Sequence, residues 1–390
     1  MPIPRLLLSL AILFVIGCGG SGDGPPESVA LAGSGSSVVR SEDGGFTWEI
    51  SLPLRVRPFL LDRYVGWAAG DRQLFATMDG GRTWTDRSDA LPGFSFGELV
   101  VATFADRQHG LLVATAAEEV GVPIVFRTED GGASWAAATL DVHPGPLSPY
   151  SFLSRPACLT RAGVGILAWH SHPDADEQNV FVAITTDFGS QWQDVSGRNS
   201  LSSRRIVHGV ACTGDSDLWV IEGDEAETGP IPREGRLLHS ADAGAAFAPV
   251  SSPSVGGEEP SAAAVTFLDA SVGWLASLTS SGGAMLHSED GGQSWSHLLD
   301  PSSTAPFRVA AIEMSFGDLN RGLVSYFERS SPHPMTPSSN VLLVTDDAGR
   351  SWTRIQIPTA EAGLGPLRDV WIRTDGDAPS PTAPPLGNAS

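Results

Sequence analysis

An eight-residue pattern, Ser/Thr-x-Asp-x-Gly-x-x-Trp, recurs seven times along the chain and constrains its fold more than any other feature. We call it the Asp motif. Successive motif aspartates lie 36 residues apart (43 to 79) to 57 residues apart (130 to 187), a period typical of repeat architectures. The fifth copy is degenerate and has Phe247 in place of tryptophan. The seven motif aspartates are Asp43, Asp79, Asp130, Asp187, Asp242, Asp290 and Asp347.

The residue types of the Asp motif are those of a tight hairpin turn. An aspartate accepts hydrogen bonds from the amides of its own turn, and glycine adopts positive φ without steric strain. The terminal aromatic side chain is expected to pack between sheets. Because the motif recurs in every repeat whereas catalysis needs one set of acids, we interpret the seven aspartates as structural and predict no catalytic residue.

Short apolar runs separated by Asp/Gly turns predict four strands per repeat, A to D, with the Asp motif as the C–D turn. Four antiparallel strands in about 40–50 residues are typical of a β-propeller blade. The first repeat lacks strand A, whereas Pro366–Arg373 supplies one extra strand near the other end of the chain. The sequence therefore predicts an all-β, seven-bladed propeller whose C-terminal strand completes the first blade. In the sixth repeat the strands are expected near Ala263–Leu268, Gly273–Leu278, Ala284–Ser288 and Ser294–Leu298.

The seven Asp motifs resemble the Asp-box, or BNR, repeats of sialidases, fungal xyloglucanases and sortilin-type receptors. Together with B strands such as Gly66–Gly70 (GWAAG), they are most similar to the photosystem II stability and assembly factor family. The resemblance covers about residues 28–375 and implies a single propeller that binds partner proteins through an arginine-rich face. The arginines here are scattered, and the contexts of Tyr64, Tyr150 and Tyr326 lack the sialidase pattern. The fold alone does not fix function.

The N-terminal segment predicts export and lipid anchoring. Arg5 precedes an apolar run, Leu6–Ile16, which is too short to span a bilayer but typical of a signal-peptide core. Gly17-Cys18 then follows, an arrangement that resembles a bacterial lipobox. We expect residues 1–17 to be a signal peptide, Cys18 to carry the lipid, and residues 18–27 to form a flexible tether in the cell envelope. A cleaved signal with an incidental cysteine is the alternative.

Charge and composition exclude several classes of function. The formal net charge is −21, and all 24 basic residues are arginine. Such a charge disfavours nucleic-acid binding and docking on an anionic membrane through a basic patch. The absence of lysine excludes Schiff-base chemistry and a P-loop lysine. Residues 376–390 are rich in proline and serine, which predicts a disordered tail.

Two cysteines and two histidines are the remaining candidates for site chemistry. Cys158 and Cys212 lie on the predicted A strands of repeats four and five, and these innermost strands converge on the propeller axis. A disulfide and two buried thiols are both open interpretations. His170 and His172 stand beside three carboxylates within residues 170–177. The loop composition there favours solvated side chains, so we predict no metal site and no cofactor.

Antiparallel strand order separates the connections into two faces. The A–B turns and Asp motifs form the turn face, and the B–C and D–A connections form the loop face. Longer insertions fall on the loop face, where scaffolds usually carry binding residues, although neutral variation in loop length is the other interpretation. The insertions are Ser171–Asn179, Gly223–Gly235 and Glu328–Asn340 between strands B and C, and segments around Asp141–Pro149 and Ser251–Pro260 between strands D and A.

These observations predict a monomeric, lipid-anchored scaffold that binds a protein or a glycan through its loop face and is not an enzyme. One alternative is a photosystem-type assembly factor. Another is a glycosidase of an unrecognised type, which needs paired carboxylates about 5–10 Å apart. The acidic group on the loop face that could supply them, expected to be solvated, is Glu222, Asp224, Glu225 and Glu227.

Overall fold

In the computed structural model of the chain, nearly all of the regular secondary structure of the described residues is β-strand, and the strands run from Ser28 to Thr374. The predicted signal peptide (1–17), the lipidated Cys18, the tether (18–27) and the tail (376–390) lie outside the described residues. The structure describes residues 28–70, 72–91, 96–116, 123–141, 157–170, 180–197, 200–201, 205–226, 229–251, 253–254, 257, 261–279, 282–299, 309–329, 338–355 and 367–374.

Seven antiparallel sheets form a closed ring, which confirms the predicted all-β, seven-bladed propeller. Strand A of each blade lies at one edge of its sheet, followed by B, C and D. The B strands are nearly continuous apolar runs because neighbouring blades cover both of their faces, and every residue of Ser28–Ser34 and Gly66–Gly70 is buried. The D strands are short and largely exposed, as in Thr85–Asp86.

The strands are numbered in chain order, and a single 3-10 turn (Ser88–Ala90) follows β7. In blade 4, β12 adds a fifth strand that runs parallel to β16. The blades are, from strand A to strand D, blade 1, β29 (Leu367–Thr374), β1 (Ser28–Ser34), β2 (Ser37–Ser41) and β3 (Glu49–Leu52); blade 2, β4 (Arg57–Leu60), β5 (Gly66–Gly70), β6 (Gln73–Thr77) and β7 (Thr85–Asp86); blade 3, β8 (Phe96–Phe104), β9 (Gly110–Ala116), β10 (Pro123–Thr128) and β11 (Ala136–Ala137), followed by β12 (Thr139–Asp141); blade 4, β13 (Ala157–Leu159), β14 (Gly165–His170), β15 (Val180–Thr185) and β16 (Gln191–Asp194); blade 5, β17 (Ile206–Thr213), β18 (Asp217–Ala226), β19 (Gly229–Ser240) and β20 (Ala248–Val250); blade 6, β21 (Ser261–Phe267), β22 (Gly273–Thr279), β23 (Gly282–Ser288) and β24 (Ser296–Leu299); and blade 7, β25 (Val309–Phe316), β26 (Gly322–Arg329), β27 (Ser338–Thr345) and β28 (Thr353–Ile355).

The ring is closed by strands from the two ends of the described chain, as the sequence predicts. Strand β29 pairs antiparallel with β1, from Ser28 opposite Thr374 to Ser34 opposite Leu367. The other side of β29 is bonded to blade 7, where the Ile372 amide donates to Ser315 Oγ at 3.2 Å. Because blade 1 combines distant parts of the sequence, its pairing holds the whole ring together.

Stacked aromatic side chains join three pairs of neighbouring blades. In each pair a tryptophan near the start of strand B lies against a phenylalanine at the end of the next blade's strand A. Trp274 and Phe316 stack with ring centroids 3.6 Å apart and planes 3° apart. The other two pairs are Trp67 with Phe104 and Trp219 with Phe267.

The second motif glycine lets neighbouring blades approach closely, and this predicts a specific sensitivity to substitution. A Cβ built on Gly292 would lie 2.3 Å from Trp219, and Gly292 has φ of +77°. Gly257 has a similar φ of +87° but no atom within 4 Å of its Cβ position. We expect Gly292→Ala to lower the free energy of unfolding by about 1–3 kcal/mol more than Gly257→Ala, because only the first substitution overpacks the blade junction. Urea denaturation of both variants measures the difference, and equal losses would contradict the packing explanation.

Candidate functional site

The seven motif aspartates are bound within their own turns. In every copy the carboxylate accepts the amide of the residue four positions later and the hydroxyl of the motif Ser or Thr. That hydroxyl oxygen in turn accepts the amide of the second motif glycine position. The carboxylate of Asp79, for example, accepts the Thr83 amide at 2.9 Å and the Thr83 hydroxyl at 2.6 Å. This geometry accounts for the recurrence of the aspartate without any role in catalysis.

The motif hydrogen bonds make stability depend on pH in the acidic range. Burial alone would raise the pKa of Asp79, but hydrogen bonds from Thr83 and Thr77 outweigh it and hold the pKa below its ordinary value of 3.8. The pKa values of Asp43, Asp130, Asp290 and Asp347 are lowered by equivalent turn bonds, with burial opposing them. A lowered folded-state pKa gives stability that is complete above the unfolded value and is lost as the pH falls through the folded value.

We therefore expect the free energy of unfolding to decrease as the pH falls below about 4. Asp79→Asn removes one titrating group from the network, so its unfolding free energy should change less steeply with pH than that of the wild type. Asp346→Asn is the matched control, because Asp346 is an exposed carboxylate beside the motif of blade 7 that takes no part in the described turn network. Urea titrations between pH 3 and pH 5 measure both slopes, and identical slopes for Asp79→Asn and Asp346→Asn would refute the assignment.

Cys158 and Cys212 meet at the axis, on the innermost strands of blades 4 and 5. The structure places their sulfur atoms in bonding contact, with Cα atoms 5.8 Å apart. That separation is within the usual range for a disulfide. The covalent bond stays a prediction.

Two cavities are too small to hold a ligand of ordinary size. The first, of about 190 Å³, follows the axis and is lined by the A strands, including both cysteines, Phe59 and Trp371. The second, of about 260 Å³, lies on the turn face between blades 7 and 1 and is lined by residues that include Phe46. Binding pockets for small molecules usually measure about 300–1,000 Å³. The larger candidate surfaces are therefore the two faces of the ring.

The loop face carries a long β-hairpin in blade 5. The sequence predicts Gly223–Gly235 to be a loop insertion, but strands β18 and β19 continue through most of it, with Asp224 opposite Arg233 and Ala226 opposite Gly229. Strand β19 contacts β21 and β25, the A strands of blades 6 and 7, so the hairpin leans toward the axis. The hairpin therefore projects beside the loop-face mouth of the central channel.

An ion pair between a buried glutamate and a partly exposed arginine fixes the base of this hairpin. Glu222 is fully buried, and Arg236 from the facing strand donates Nε–H to its Oε1 at 2.6 Å. Arg236 also donates to the carbonyl oxygen of Ser200 at 2.7 Å. The expectation that Glu222 is solvated is therefore wrong, because cross-strand pairing buries it against Arg236. The side chains of Asp224 and Glu225 and the whole of Glu227 lie outside the described part of the chain.

A second charged cluster lies where blades 7, 1 and 2 meet near the axis. Asp369 sits at a β-bulge with φ of +51°, and its amide donates to the Glu313 carboxylate. Arg57 Nε lies 3.5 Å from an Asp369 carboxylate oxygen. Glu313 and Asp369 are both buried. This cluster could not be predicted from the sequence, because its three members come from three different repeats.

The turn face carries arginines from several consecutive blades near the axis, which a linear view of the sequence missed. Arg107 Nη2 lies 3.0 Å from the Asp62 carboxylate, and Arg373 Nε donates to the Leu61 carbonyl at 3.1 Å. Arg63 stacks over the ring of Tyr64, and Arg161 is exposed in the A–B turn of blade 4. The arginines appear scattered in sequence because each belongs to a different A strand or A–B turn.

The described residues reveal no metal centre and no membrane-spanning helix. Across these residues, no three His, Cys, Asp or Glu side chains come together as a cation site. Nor does any helix in the described part have the length and apolarity to cross a bilayer. The His-x-His segment falls mostly outside them, since residues 171–179 are not described.

Comparison with known proteins relates the chain to one assembly factor over a limited stretch. The chain matches no known family profile. It is 32% identical over 126 residues to the photosystem II assembly lipoprotein Ycf48 of Synechococcus sp. (strain CC9902). The match covers 30% of this chain and only 35% of that relative.

Solved structures show the same fold at low sequence identity. The chain is similar to the GH74 xyloglucanase of Xanthomonas campestris, with a TM-score of 0.50 and 18% identity, over 75% of this chain and 43% of the enzyme. It is also similar to a PL25 ulvan lyase, with a TM-score of 0.50 and 10% identity, over 87% and 94% of the two chains. YCF48 from Cyanidioschyzon merolae has a TM-score of 0.49 and 18% identity, over 86% and 93%.

These likenesses contradict the prediction that the chain is not an enzyme. That prediction rested on the structural role of the Asp motifs and on the absence of a recognised catalytic set. A glycoside hydrolase and a polysaccharide lyase share the propeller fold, so neither the repeats nor the architecture excludes catalysis.

Proposed function

We propose that the chain is a lipid-anchored scaffold that binds a protein partner through its loop face. The observation that carries the proposal is the blade 5 hairpin, which projects beside the mouth of the central channel and is fixed at its base by the Glu222–Arg236 pair. Strand β20 pairs with only three residues of the outer edge of β19. Among the described residues, no strand pairs with the rest of that edge. A free strand edge can pair with an extended segment of another protein.

The partial relative supports both halves of this proposal. It is an assembly lipoprotein, so a protein partner and a lipid on Cys18 agree with this sequence likeness. A glycan is the alternative ligand, because the fold is shared with proteins that act on polysaccharides. A photosystem subunit would be one specific form of the protein partner.

The test is capture from membranes with the full lipidated protein and a variant with a shortened hairpin. Residues 224–234 are replaced by Asn-Gly, which joins Gly223 to Gly235 through a two-residue turn and retains Glu222 and Arg236. Asp346→Asn, an exposed position on the opposite face, is the control. We expect the shortened variant to lose the captured protein and Asp346→Asn to retain it. Retention by the shortened variant would refute the loop-face assignment, and a protease-resistant, sugar-containing ligand would support the glycan alternative.

A further inference from the structure

The point at which the chain leaves the ring determines how an anchored propeller can face its membrane. Strand β1 begins at Ser28, which pairs with Thr374 at the end of β29. In blade 2 the corresponding edge of the sheet carries the A–B turn, between Leu60 and Gly66. Both chain ends of blade 1 therefore emerge on the turn face.

We infer that the turn face of blades 7, 1 and 2 rests on the surface of the lipid bilayer, an inference that depends on the lipid anchor proposed for Cys18. Nine residues, 19–27, separate Cys18 from Ser28. A fully extended chain of that length reaches about 30 Å. A glycine-rich chain of nine residues spans about 17 Å on average. The turn face thus lies within the reach of the anchor.

The opposite orientation requires a much longer path. Strand β1 has seven residues, which correspond to about 23 Å between the two faces of the blade. To bring the loop face to the bilayer, the tether would have to run this whole height along the outside of the ring. That distance exceeds the average span of the tether even before the loop-face hairpin of blade 5 is accommodated.

Exposed apolar side chains surround the same exit point. Among the described residues four large apolar side chains are substantially exposed, and three of them lie on the turn face of consecutive blades. Leu319 belongs to the A–B turn of blade 7, Phe46 to the Asp motif of blade 1 and Met78 to that of blade 2. Their exposed fractions are 54%, 44% and 47%, respectively. The fourth, Ile50, is 51% exposed and lies on the outer strand β3.

Exposed apolar side chains of this kind enter the interfacial region of a bilayer. Because the domain is tethered, even weak contacts are sufficient to orient it on the membrane. The lipid anchor keeps the domain at a high effective concentration next to the membrane, so a few partly inserted side chains can set its orientation. The net charge of −21 makes an anionic surface unfavourable, which identifies a zwitterionic lipid surface as the occupant. The loop face then points away from the bilayer, with its hairpin available to a partner.

The experiment measures the depth of two labelled positions in the same blade. Full lipidated protein carrying Met78→Cys or Ser36→Cys is labelled with a fluorophore without reductant and placed in phosphatidylcholine vesicles that contain a lipid-borne quencher. Ser36 is exposed in the B–C turn of blade 1, on the loop face. We expect quenching at position 78 to be severalfold stronger than at position 36. Equal quenching, or stronger quenching at position 36, would overturn the orientation.

A second set of variants tests whether the apolar side chains cause the orientation. Phe46→Ser together with Leu319→Ser should reduce the quenching at position 78 severalfold, whereas Ile50→Ser, of similar exposure but on the outer strand, should leave it unchanged. Equal effects of the two changes would refute the role of the turn-face side chains.

Mass spectrometry of the same samples separates this inference from the proposed function. A Cys18 without an acyl group refutes the anchor itself. An acylated Cys18 with stronger quenching at position 36 refutes only the orientation. Capture of a partner through the blade 5 hairpin is unaffected by either label and remains a separate measurement.

Discussion

Replacing Trp274 by alanine should lower the free energy of unfolding by about 3–5 kcal/mol, as expected for a large buried aromatic side chain. Trp274 is fully buried in strand β22, and its ring lies flat against Phe316 of the next blade. Its indole N–H also donates to the carbonyl oxygen of Ala348 at 3.1 Å. The substitution therefore removes a stacked ring and a hydrogen bond from the junction of blades 6 and 7, and leaves a cavity there.

Two control substitutions separate packing from hydrogen bonding and from surface effects. Trp274→Phe keeps an aromatic ring against Phe316 and removes the indole hydrogen bond, so its effect should be about 1 kcal/mol. Phe46→Ala removes an exposed aromatic side chain and should change stability by less than about 0.5 kcal/mol. Urea denaturation followed by both fluorescence and circular dichroism gives the values and tests whether unfolding is two-state. If Trp274→Ala lowered the free energy of unfolding by less than Trp274→Phe does, this explanation of the junction between blades 6 and 7 would be refuted.

The sequence predicted the architecture because the information about it is local and repeated. Each Asp motif specifies one C–D turn through residues within a few positions of each other, and the seven copies count the blades. The extra strand at Pro366–Arg373 indicated ring closure, and the structure has it at Leu367–Thr374. In the sixth repeat, strands predicted near Gly273–Leu278 and Ala284–Ser288 are observed at Gly273–Thr279 and Gly282–Ser288. Short-range turn chemistry was sufficient for these predictions.

Contacts between repeats could not be predicted in the same way. Trp67 and Trp274 lie in strands that the sequence predicts, but their stacking partners could not be identified, because each phenylalanine belongs to the following blade. The sequence predicts a loop at Gly223–Gly235, and the hairpin found there contains Pro230 and Pro232. Proline is compatible with an edge strand, and this part of β19 has no outer neighbour among the described residues.

The pairing of charged residues in the candidate site could not be predicted from the sequence either, because it depends on the register of the strands. Glu222 and Arg236 are fourteen positions apart, and they face each other only because β18 and β19 pair in one specific register. An isolated acidic run looks solvated until its cross-strand partner is known. The Arg57, Glu313 and Asp369 cluster requires in addition the order of blades 7, 1 and 2 around the axis.

Removing the Cys158–Cys212 bond should lower the free energy of unfolding by about 4 kcal/mol, the loop-entropy value for a closed loop of this length. The two cysteines are separated by 54 positions and join the innermost strands of blades 4 and 5. Among the described residues, no aromatic stack crosses this junction. In blades 3, 6 and 7 a phenylalanine of strand A pairs with a residue at the start of strand B, and these are Phe104, Phe267 and Phe316. Cys212 holds the equivalent position in blade 5. The bond thus replaces the aromatic contact as a link between neighbouring blades.

The double variant Cys158→Ala and Cys212→Ala tests this role, with Trp274→Ala as the reference for loss of an aromatic junction. Urea denaturation measures the free energy of unfolding of the oxidised protein, the reduced protein and the double variant. We expect the reduced protein and the double variant to be less stable than the oxidised protein by similar amounts. Mass spectrometry of the unreduced full-length protein decides whether the bond forms. Two free thiols, or a double variant as stable as the oxidised protein, would refute the role. If the bond forms, reduction should weaken the junction of blades 4 and 5 selectively, because the three aromatic stacks contain no group that a thiol reagent can change.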